Sequence, residues 1–152
     1  MVIFSAQPEE MGSVMTKLTL WNNTDLDNVN RGLMKAEDVR TAELEALVDT
    51  GATQLVLPID VCERLGLRPG RTVPVLLADG TDREMTYYTS LHISILGRDM
   101  SCDALAAPEG TTALIGQIPL EALDLVVDPK SRDLRTNPAH PDGPLMYALR
   151  AS

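Results

Sequence analysis

Hydrophobic and polar residues alternate along much of this chain, which is the pattern of strands with one buried face. The period of two is clearest over residues 14–21 and 43–48, where apolar side chains alternate with polar ones such as Glu43 and Glu45. Further strands are predicted at 54–57, 73–78, 84–96, 100–107, 113–115, 125–127 and 131–135. The chain is therefore predicted to be a mainly-β protein.

Helical spacing is confined to short segments. Leu26, Val29 and Leu33 predict one short helix within the polar stretch 22–38, capped by Thr24 or Asp25. Two more short helices are predicted at 59–65, ended by Gly66, and at 119–123. The pair Asp79-Gly80 separates two predicted strands and indicates a tight hairpin turn between them.

Length and charge narrow the class of protein. The 152 residues suit one domain, predicted at 14–135, with a flexible N-terminal arm at 1–13 and a tail at 136–152. The formal net charge of −9 argues against nucleic acid or an anionic membrane as a partner. No apolar run is long enough for a membrane span, so we expect a cytoplasmic protein.

One acidic residue stands out from the ordinary surface carboxylates. Asp49 lies between two predicted strands in Leu47-Val48-Asp49-Thr50-Gly51-Ala52-Thr53, where Thr50 and Gly51 would shape a turn. About sixty residues later the chain carries a second short apolar segment that ends in glycine, Ala113-Leu114-Ile115-Gly116-Gln117.

Together these segments resemble the retropepsin-like (clan AA) aspartic proteases. Asp49-Thr50-Gly51-Ala52 is similar to the active-site motif, and Leu114-Ile115-Gly116 to the second signature of that family. The resemblance spans roughly residues 14–135. It implies a single-domain member of the bacterial type, with an acid-protease fold: a closed β-barrel or sandwich with one or two short helices. The segment 22–38 departs from viral retropepsins, whose connection there is much shorter.

The resemblance implies an aspartic endopeptidase that hydrolyses peptide bonds in extended polypeptides. Two carboxyl groups that share one proton can deprotonate the attacking water and protonate the carbonyl oxygen. The chain holds a single Asp-Thr-Gly, so the second carboxylate would be Asp49 of another copy in a C2 homodimer. This chemistry needs no cofactor and no metal.

Roles for individual residues follow from the same resemblance. Asp49, Thr50 and Gly51 would be catalytic: the carboxylate, a hydroxyl that bonds across the dimer, and an N–H donor to the carboxylate. A flap over the substrate would be formed by Ala78, Asp79, Gly80 and Thr81. Substrate would also meet Ala52, Leu114, Ile115 and Gly116, and apolar pockets would be walled by Val56, Leu76, Leu77 and Ile115.

Other interpretations stay open. The same fold without catalysis would be a dimeric β-module that binds a peptide in the groove. His92 and His140 are expected to be solvated, which disfavours a zinc protease. Cys62 and Cys102 are expected to be reduced thiols without a catalytic histidine partner.

Overall fold

The computed structural model describes residues 2–4 and 13–145, of which residues 2–4 are described as backbone only. Over this part of the chain the strands are β1 (Val2–Phe4), β2 (Met15–Asn22), β3 (Thr41–Val48), β4 (Leu55–Pro58), β5 (Arg68–Leu77), β6 (Asp82–Ile95), β7 (Arg98–Ala107), β8 (Ala113–Ile115), β9 (Leu125–Val127) and β10 (Leu134–Thr136). The helices are α1 (Asn23–Asn30), a 3₁₀ helix (Ala36–Asp38), α2 (Ile59–Arg64) and α3 (Gln117–Ala122).

Six strands close into a barrel. They pair in the order β6-β2-β3-β8-β4-β7, and β7 pairs again with β6. Two of the pairs, β3 with β8 and β4 with β7, are parallel, and the others are antiparallel. β5 extends the sheet from β6, and β9 pairs with β10 in a separate two-stranded sheet. The predicted mainly-β fold with a closed barrel is confirmed.

The alternation read from the sequence matches the burial of β2. Thr16, Leu18, Leu20 and Asn22 are buried, whereas Met15 and Lys17 are exposed. β2 lies antiparallel to β3, with Met15 opposite Leu47 and Trp21 opposite Thr41. This register places the two polar faces together on the outside, where Lys17 and Glu43 form an exposed ion pair.

Two apolar clusters fill the molecule. The main core lies inside the barrel and includes Leu18, Leu20, Leu57, Ile93 and Ile115. A second cluster lies beneath the β5–β6 hairpin and consists of Leu47, Val56, Val75, Met85, Tyr87, Leu105, Ala107 and Leu114, with Val73 and Leu77 packed against it. Neighbours along β4, β8 and the last three residues of β3 alternate between the two clusters, so these segments are apolar on both faces.

The short helices form near their predicted positions, with corrected ends. α1 is capped by Asn22, whose side chain accepts from the Asp25 N–H, and not by Thr24 or Asp25 as expected. Leu33 lies beyond this helix and is exposed. α2 ends before Gly66, which adopts a positive φ of +64° as its predicted role requires.

α3 begins two residues earlier than the sequence suggested. Its first residue is Gln117 and its last is Ala122, whereas the predicted helix covered residues 119–123. Pro119 lies in the first turn, where a missing N–H breaks no intrahelical bond. The proline was therefore compatible with an earlier start.

Both chain ends lie partly outside the described residues. Val2–Phe4 run parallel to β5, with Val2 opposite Val75 and Phe4 opposite Leu77. The apolar residues of segment 144–149 also predict a strand, but most of this segment, residues 146–149, is not described. The division into an arm, a domain and a tail stays a prediction.

The exit loop after β10 is fastened to the turn that follows α3. Asp124 accepts hydrogen bonds from Asn137 Nδ2 at 3.0 Å and from His140 Nδ1. The buried Arg98 guanidinium donates to the carbonyls of Leu123, Asp124 and His140. His140 is therefore bonded and mostly buried, so the expectation that it is solvated is wrong.

An ion pair between a buried carboxylate and a half-exposed arginine holds segment 22–40 against the barrel. The Asp25 carboxylate is 2% exposed and accepts from Arg40 N at 3.0 Å, Nε at 2.9 Å and Nη2 at 3.0 Å. Asn22 Nδ2 donates to the Leu65 carbonyl at 2.8 Å, which ties the same segment to the end of α2. The Arg40 guanidinium beside Asp25 holds the pKa of that carboxyl below its usual range.

Arg40→Ala is expected to lower the free energy of unfolding by about 1–3 kcal/mol, because it strips two charge-assisted hydrogen bonds from a buried carboxylate. The Arg40 side chain is 49% exposed, so solvent screening keeps the loss below that of a fully buried pair. Urea denaturation at pH 7 measures this change in the free energy of unfolding.

The matched control is Lys17→Ala, which removes an exposed ion pair and should cost less than about 1 kcal/mol. The lowered pKa of Asp25 contributes stability above the unfolded pKa of about 3.9, and this is lost as the pH falls through the folded pKa. The difference between Arg40→Ala and wild type should therefore shrink below about pH 4. An equal loss in the free energy of unfolding for Arg40→Ala and Lys17→Ala would contradict this role for Arg40.

Candidate active site

Asp49 lies in a loop, residues 49–54, that connects β3 to β4 across an intervening strand. β8 lies between these two strands, parallel to β3 and antiparallel to β4. Val48 and Leu55 are both opposite Ile115, so the loop passes over the end of β8. The two sequence segments singled out above, sixty residues apart, are therefore neighbours in the fold.

Main-chain hydrogen bonds hold this Asp49 loop to the segment that follows β8. Asp49 N donates to the Ile115 carbonyl at 3.0 Å. In return, Gln117 N donates to the Ala52 carbonyl at 2.8 Å and Ile118 N donates to the Thr53 carbonyl at 2.9 Å. The last two donors are at the start of α3, where N–H groups have no partner within the helix. The helix start thus fixes the loop.

Gly116 lies against the backbone of the Asp49 loop, with no room for a side chain. A Cβ at this position would be 2.4 Å from the Gln54 carbonyl oxygen, 2.7 Å from Gln54 N and 2.7 Å from the Thr53 carbonyl carbon. All three atoms belong to the backbone. Gly116 has extended dihedral angles, so glycine is needed here for the close approach and not for its backbone freedom.

The Asp49 carboxyl group is partly buried, and among the described residues only one of its two oxygens has a hydrogen-bond partner. Its Oδ1 accepts from the Gly51 N–H at 3.0 Å, whereas Oδ2 is buried and has no hydrogen-bond partner among the described residues. Burial raises the pKa of Asp49, against the opposing effect of the Gly51 and Ala52 N–H groups. The group is thereby biased towards holding a proton, which a carboxylic acid needs in order to act as a proton donor.

The residues beside Asp49 differ in exposure. Thr50 and Gly51 are exposed at the outer edge of the loop, and Ala52 is buried beneath it. The exposed pair directly follows Asp49 along the chain.

The hairpin tip, residues 78–81, is a tight, exposed turn. Gly80 N donates to the Leu77 carbonyl at 3.0 Å, and Gly80 has a φ of +86° that favours glycine. Asp79 Oδ1 accepts from Thr81 N at 2.9 Å and from Thr81 Oγ1 at 2.6 Å. These Thr81 hydrogen bonds lower the pKa of Asp79. The predicted turn is confirmed, and it is closed without a run of glycines.

The second cluster links the arms of this hairpin to the strands that carry the Asp49 loop. Val75 and Met85 from the hairpin share it with Leu47 and Leu114, which lie just before Asp49 and Gly116. The structure therefore brings the arms of the hairpin, the Asp49 loop and β8 together around one apolar surface. The tip residues 78–81 have no hydrogen bond to the Asp49 loop among the described contacts.

Leu114 and Ile115 face opposite clusters. Leu114 packs in the second cluster, whereas Ile115 is fully buried in the main core and meets Asp49 through its carbonyl. Of the four residues suggested as pocket walls, Val56 and Leu77 are in or against the second cluster together with Leu114. The alternation of strand β8 explains why its two apolar residues have different surroundings.

A cavity of about 520 Å³ beside the loop was not predicted from the sequence. Gln54, Leu55, Ile118 and Pro119 form its wall on the loop side. Across from them the Arg71 guanidinium lies over the Tyr87 ring, 5.2 Å from the centroid. Arg71 and Tyr87 come from neighbouring strands, and no sequence spacing marks such a pair.

The other chemistry-bearing residues are separate from Asp49. Burial raises the pKa of Cys62 and of Cys102 to about 12, and both are free thiols, as expected. No group of three or more histidine, cysteine or acidic side chains positioned to hold a metal occurs within the described residues. No helix in the described part of the chain is long and apolar enough to cross a membrane.

Gly116→Ala is expected to destabilise the protein by about 3 kcal/mol, the upper end of the range for overpacking, because the backbone of residues 53–54 cannot move aside cheaply. Thermal and urea unfolding measure the loss. The control Gly110→Ala has open space around its Cβ and should cost only about 1–2 kcal/mol, from its positive φ. A Gly116→Ala variant as stable as wild type would contradict the close approach.

Comparison with known protein families agrees with the geometry of this loop. A family model described as gag-polyprotein putative aspartyl protease matches residues 38–122, which include the Asp49 loop, the β5–β6 hairpin, β8 and α3. No curated protein matches the sequence. The matched segment is more than half of the chain, and the closed barrel with few helices fits an acid protease. This chain belongs to the gag-polyprotein putative aspartyl protease family and is a retropepsin-like aspartic protease.

Proposed function

We propose that the protein is a homodimeric aspartic endopeptidase that cleaves extended polypeptides. The observation that carries this proposal is the state of Asp49. It is a partly buried carboxyl group on a loop anchored by main-chain bonds, its pKa is raised, and one of its oxygens has no hydrogen-bond partner among the described residues. A second carboxyl group brought alongside by a C2 axis would complete a proton-sharing pair.

In the proposed reaction the two Asp49 carboxyl groups share one proton and one water. The ionised group takes a proton from the water, whose oxygen attacks the peptide carbonyl carbon, while the protonated group gives its proton to the carbonyl oxygen. The resulting tetrahedral intermediate collapses as the C–N bond breaks and the amine leaves with a proton. Like charges about 3 Å apart cannot both ionise, which is why one proton stays on the pair.

Neighbouring residues have supporting roles in this proposal. The Gly51 N–H, 3.0 Å from Asp49 Oδ1, orients the carboxyl group. The exposed Thr50 hydroxyl bonds across the dimer, and its exposure in the single chain supports that role. The hairpin tip 78–81 closes over the substrate, and Ala52, Leu114 and Gly116 shape the floor. Ile115 is fully buried in the main core, so in place of the expected contact with substrate it supports the loop through its carbonyl, which accepts from Asp49 N. The apolar second cluster beside the loop favours apolar side chains next to the scissile bond.

We also place the enzyme in the cytoplasm, in agreement with its two free thiols. The net charge of −9 per chain repels a second copy at long range, so dimer formation is expected to strengthen at moderate ionic strength. Nucleic acid and membranes are not proposed as partners.

Asp49→Asn is expected to lower peptide cleavage at least about a hundredfold, because an amide can neither take nor give the shared proton. The variant should be at least as stable as wild type at pH 7. Because the pKa of Asp49 is raised in the folded state, its stabilising contribution is present below the unfolded pKa and is lost as the pH rises through the folded pKa. The ionised carboxylate is therefore the form that the fold disfavours, and the neutral amide avoids that cost. Cleavage of a denatured protein and a thermal melt are the two measurements.

The matched control is Asp60→Asn, because Asp60 also has a buried carboxylate oxygen without a partner among the described residues but lies in α2. Its cleavage rate should equal that of wild type. Wild-type activity in Asp49→Asn would overturn the assignment. Tight peptide binding by the wild type with no cleavage at any pH would instead identify the chain as a silent peptide-binding module.

The cleavage rate is expected to follow a bell-shaped pH profile. At low pH both carboxyl groups hold protons and the base is lost, whereas at high pH both are ionised and the acid is lost. Because burial raises the pKa of Asp49, the upper limb should lie above the usual carboxyl range. Initial rates from about pH 3 to 9 on one peptide test this, and a rate that still rises at pH 9 would rule out proton sharing.

A further inference from the structure

A cavity of about 460 Å³ lies at the opposite end of the barrel from the Asp49 loop. Trp21 lines it and is paired with Thr41, the first residue of β3, whereas the Asp49 loop follows the last residue, Val48. Seven steps of about 3.3 Å place the two ends about 23 Å apart along β3. The cavity is lined by Trp21, α1, the 3₁₀ region, His92 and Ser101, so segment 22–40 forms much of its wall.

Three polar side chains come together on one face of β6 and β7. His92 is directly opposite Ser101, and Asp99 lies two residues before Ser101, on the same face of β7. His92 Nδ1 is 3.2 Å from Ser101 Oγ, and His92 Nε2 is 2.7 Å from Asp99 Oδ2. The expectation that His92 is solvated is wrong, because its side chain is only 21% exposed.

The hydrogen bonds of His92 determine which nitrogen can act as a base. An ionised Asp99 can only accept, so Nε2 carries the hydrogen and donates it to Asp99. Nδ1 of the neutral ring is then an acceptor, and it faces the Ser101 hydroxyl. The Trp21 ring, 5.9 Å from the His92 ring between centroids, packs on the imidazole. A nucleophile, a base and a third group that orients the base form the arrangement that activates a serine.

We propose that Ser101 is the nucleophile of a second site, with His92 as its general base and Asp99 as the residue that positions His92. The site would hydrolyse esters with small acyl groups. Ser101 is exposed to the cavity, and the neighbouring walls include the apolar residues Leu26, Val29, Ala36 and Val39. At the rim, Asn23 Oδ1 is 3.4 Å from Ser101 Oγ and is a second acceptor for the Ser101 hydroxyl.

The proposed reaction passes through an acyl-serine intermediate. Ser101 Oγ bonds to the acyl carbon as its hydroxyl proton passes to His92 Nδ1, and the ester C–O bond breaks to release an alcohol that takes this proton. Water then adds to the acyl carbon, giving one proton to His92, and the Ser101–acyl bond breaks as His92 returns this proton to Ser101 Oγ. The products are the carboxylic acid and the free serine hydroxyl.

The test uses the full-length chain carrying Asp49→Asn, so that the protease site cannot contribute. We expect p-nitrophenyl acetate to be hydrolysed, and a fluorophosphonate probe to add once per chain at Ser101 with loss of fluoride, as read by peptide mass mapping. Trp21 is the chain's single tryptophan and lines the cavity, so the labelled protein should show altered tryptophan emission.

Four variants separate catalysis from structure. Ser101→Ala should reduce both reactions to background, and His92→Gln should slow them at least tenfold. Asp99→Glu should retain more activity than Asp99→Ala, since it keeps an acceptor for Nε2. The matched control is Ser94→Ala, which lies opposite Asp99 outside the hydrogen-bonded trio and should leave both rates unchanged.

Thermal melts of all variants verify that they are folded. The proposal is overturned by labelling at another residue, by no labelling above that of the urea-unfolded chain, or by a rate that His92→Gln leaves unchanged. These outcomes are independent of the peptide-cleavage assay, because every experiment uses the chain that carries Asp49→Asn.

Discussion

The contact between Gly116 and the backbone of residues 53–54 is the constraint on which the Asp49 site depends. β8 can lie between β3 and β4 only if the loop that joins them crosses its end without a side chain in the way. At that crossing, three main-chain hydrogen bonds fix the loop from Asp49 to Thr53. The position of the carboxyl group is thus set by backbone atoms, which vary less in position than long side chains do.

The same burial that positions Asp49 leaves its charge poorly compensated. A buried acceptor without a partner normally costs about 1–3 kcal/mol, and such groups are rare in folded proteins. Within the described part of the chain, Asp49 Oδ2 is in that state, and the pKa of the group is raised. In a dimer a second Asp49 would supply the missing proton or acceptor. The energetic cost of this carboxyl oxygen in the single chain and the proposed catalytic pair therefore both result from the burial of Asp49.

The sequence predicted most of the scaffold because local patterns determine it. The alternation of apolar and polar residues predicted β2 and β3, and Asp79-Gly80 predicted the hairpin turn. The two segments that carry the family resemblance are neighbours in the fold, where Asp49 is bonded to Ile115 next to Gly116. Whole elements were found more reliably than their ends. The cap of α1 was misplaced because Asn22, Thr24 and Asp25 are all good caps, and Asp25 is instead used by Arg40.

Features built from distant residues could not be predicted in this way. The cavity with Arg71 over Tyr87 and the trio of His92, Asp99 and Ser101 depend on which strands pair and in which register. Arg98 was also missed, since its partners are carbonyl groups and carry no sequence signal. Even β8 alternates between two apolar clusters, so its pattern did not reveal that Ile115 faces the main core.

Mixing wild-type and Asp49→Asn chains tests the shared site most directly. At constant total concentration, with subunits exchanged to equilibrium, a site that needs one Asp49 from each chain gives activity proportional to the square of the wild-type fraction. An equal mixture should then retain about one quarter of the wild-type rate. A linear decrease, with about half the rate in the equal mixture, would show that each chain cleaves alone and would contradict the two-carboxylate account.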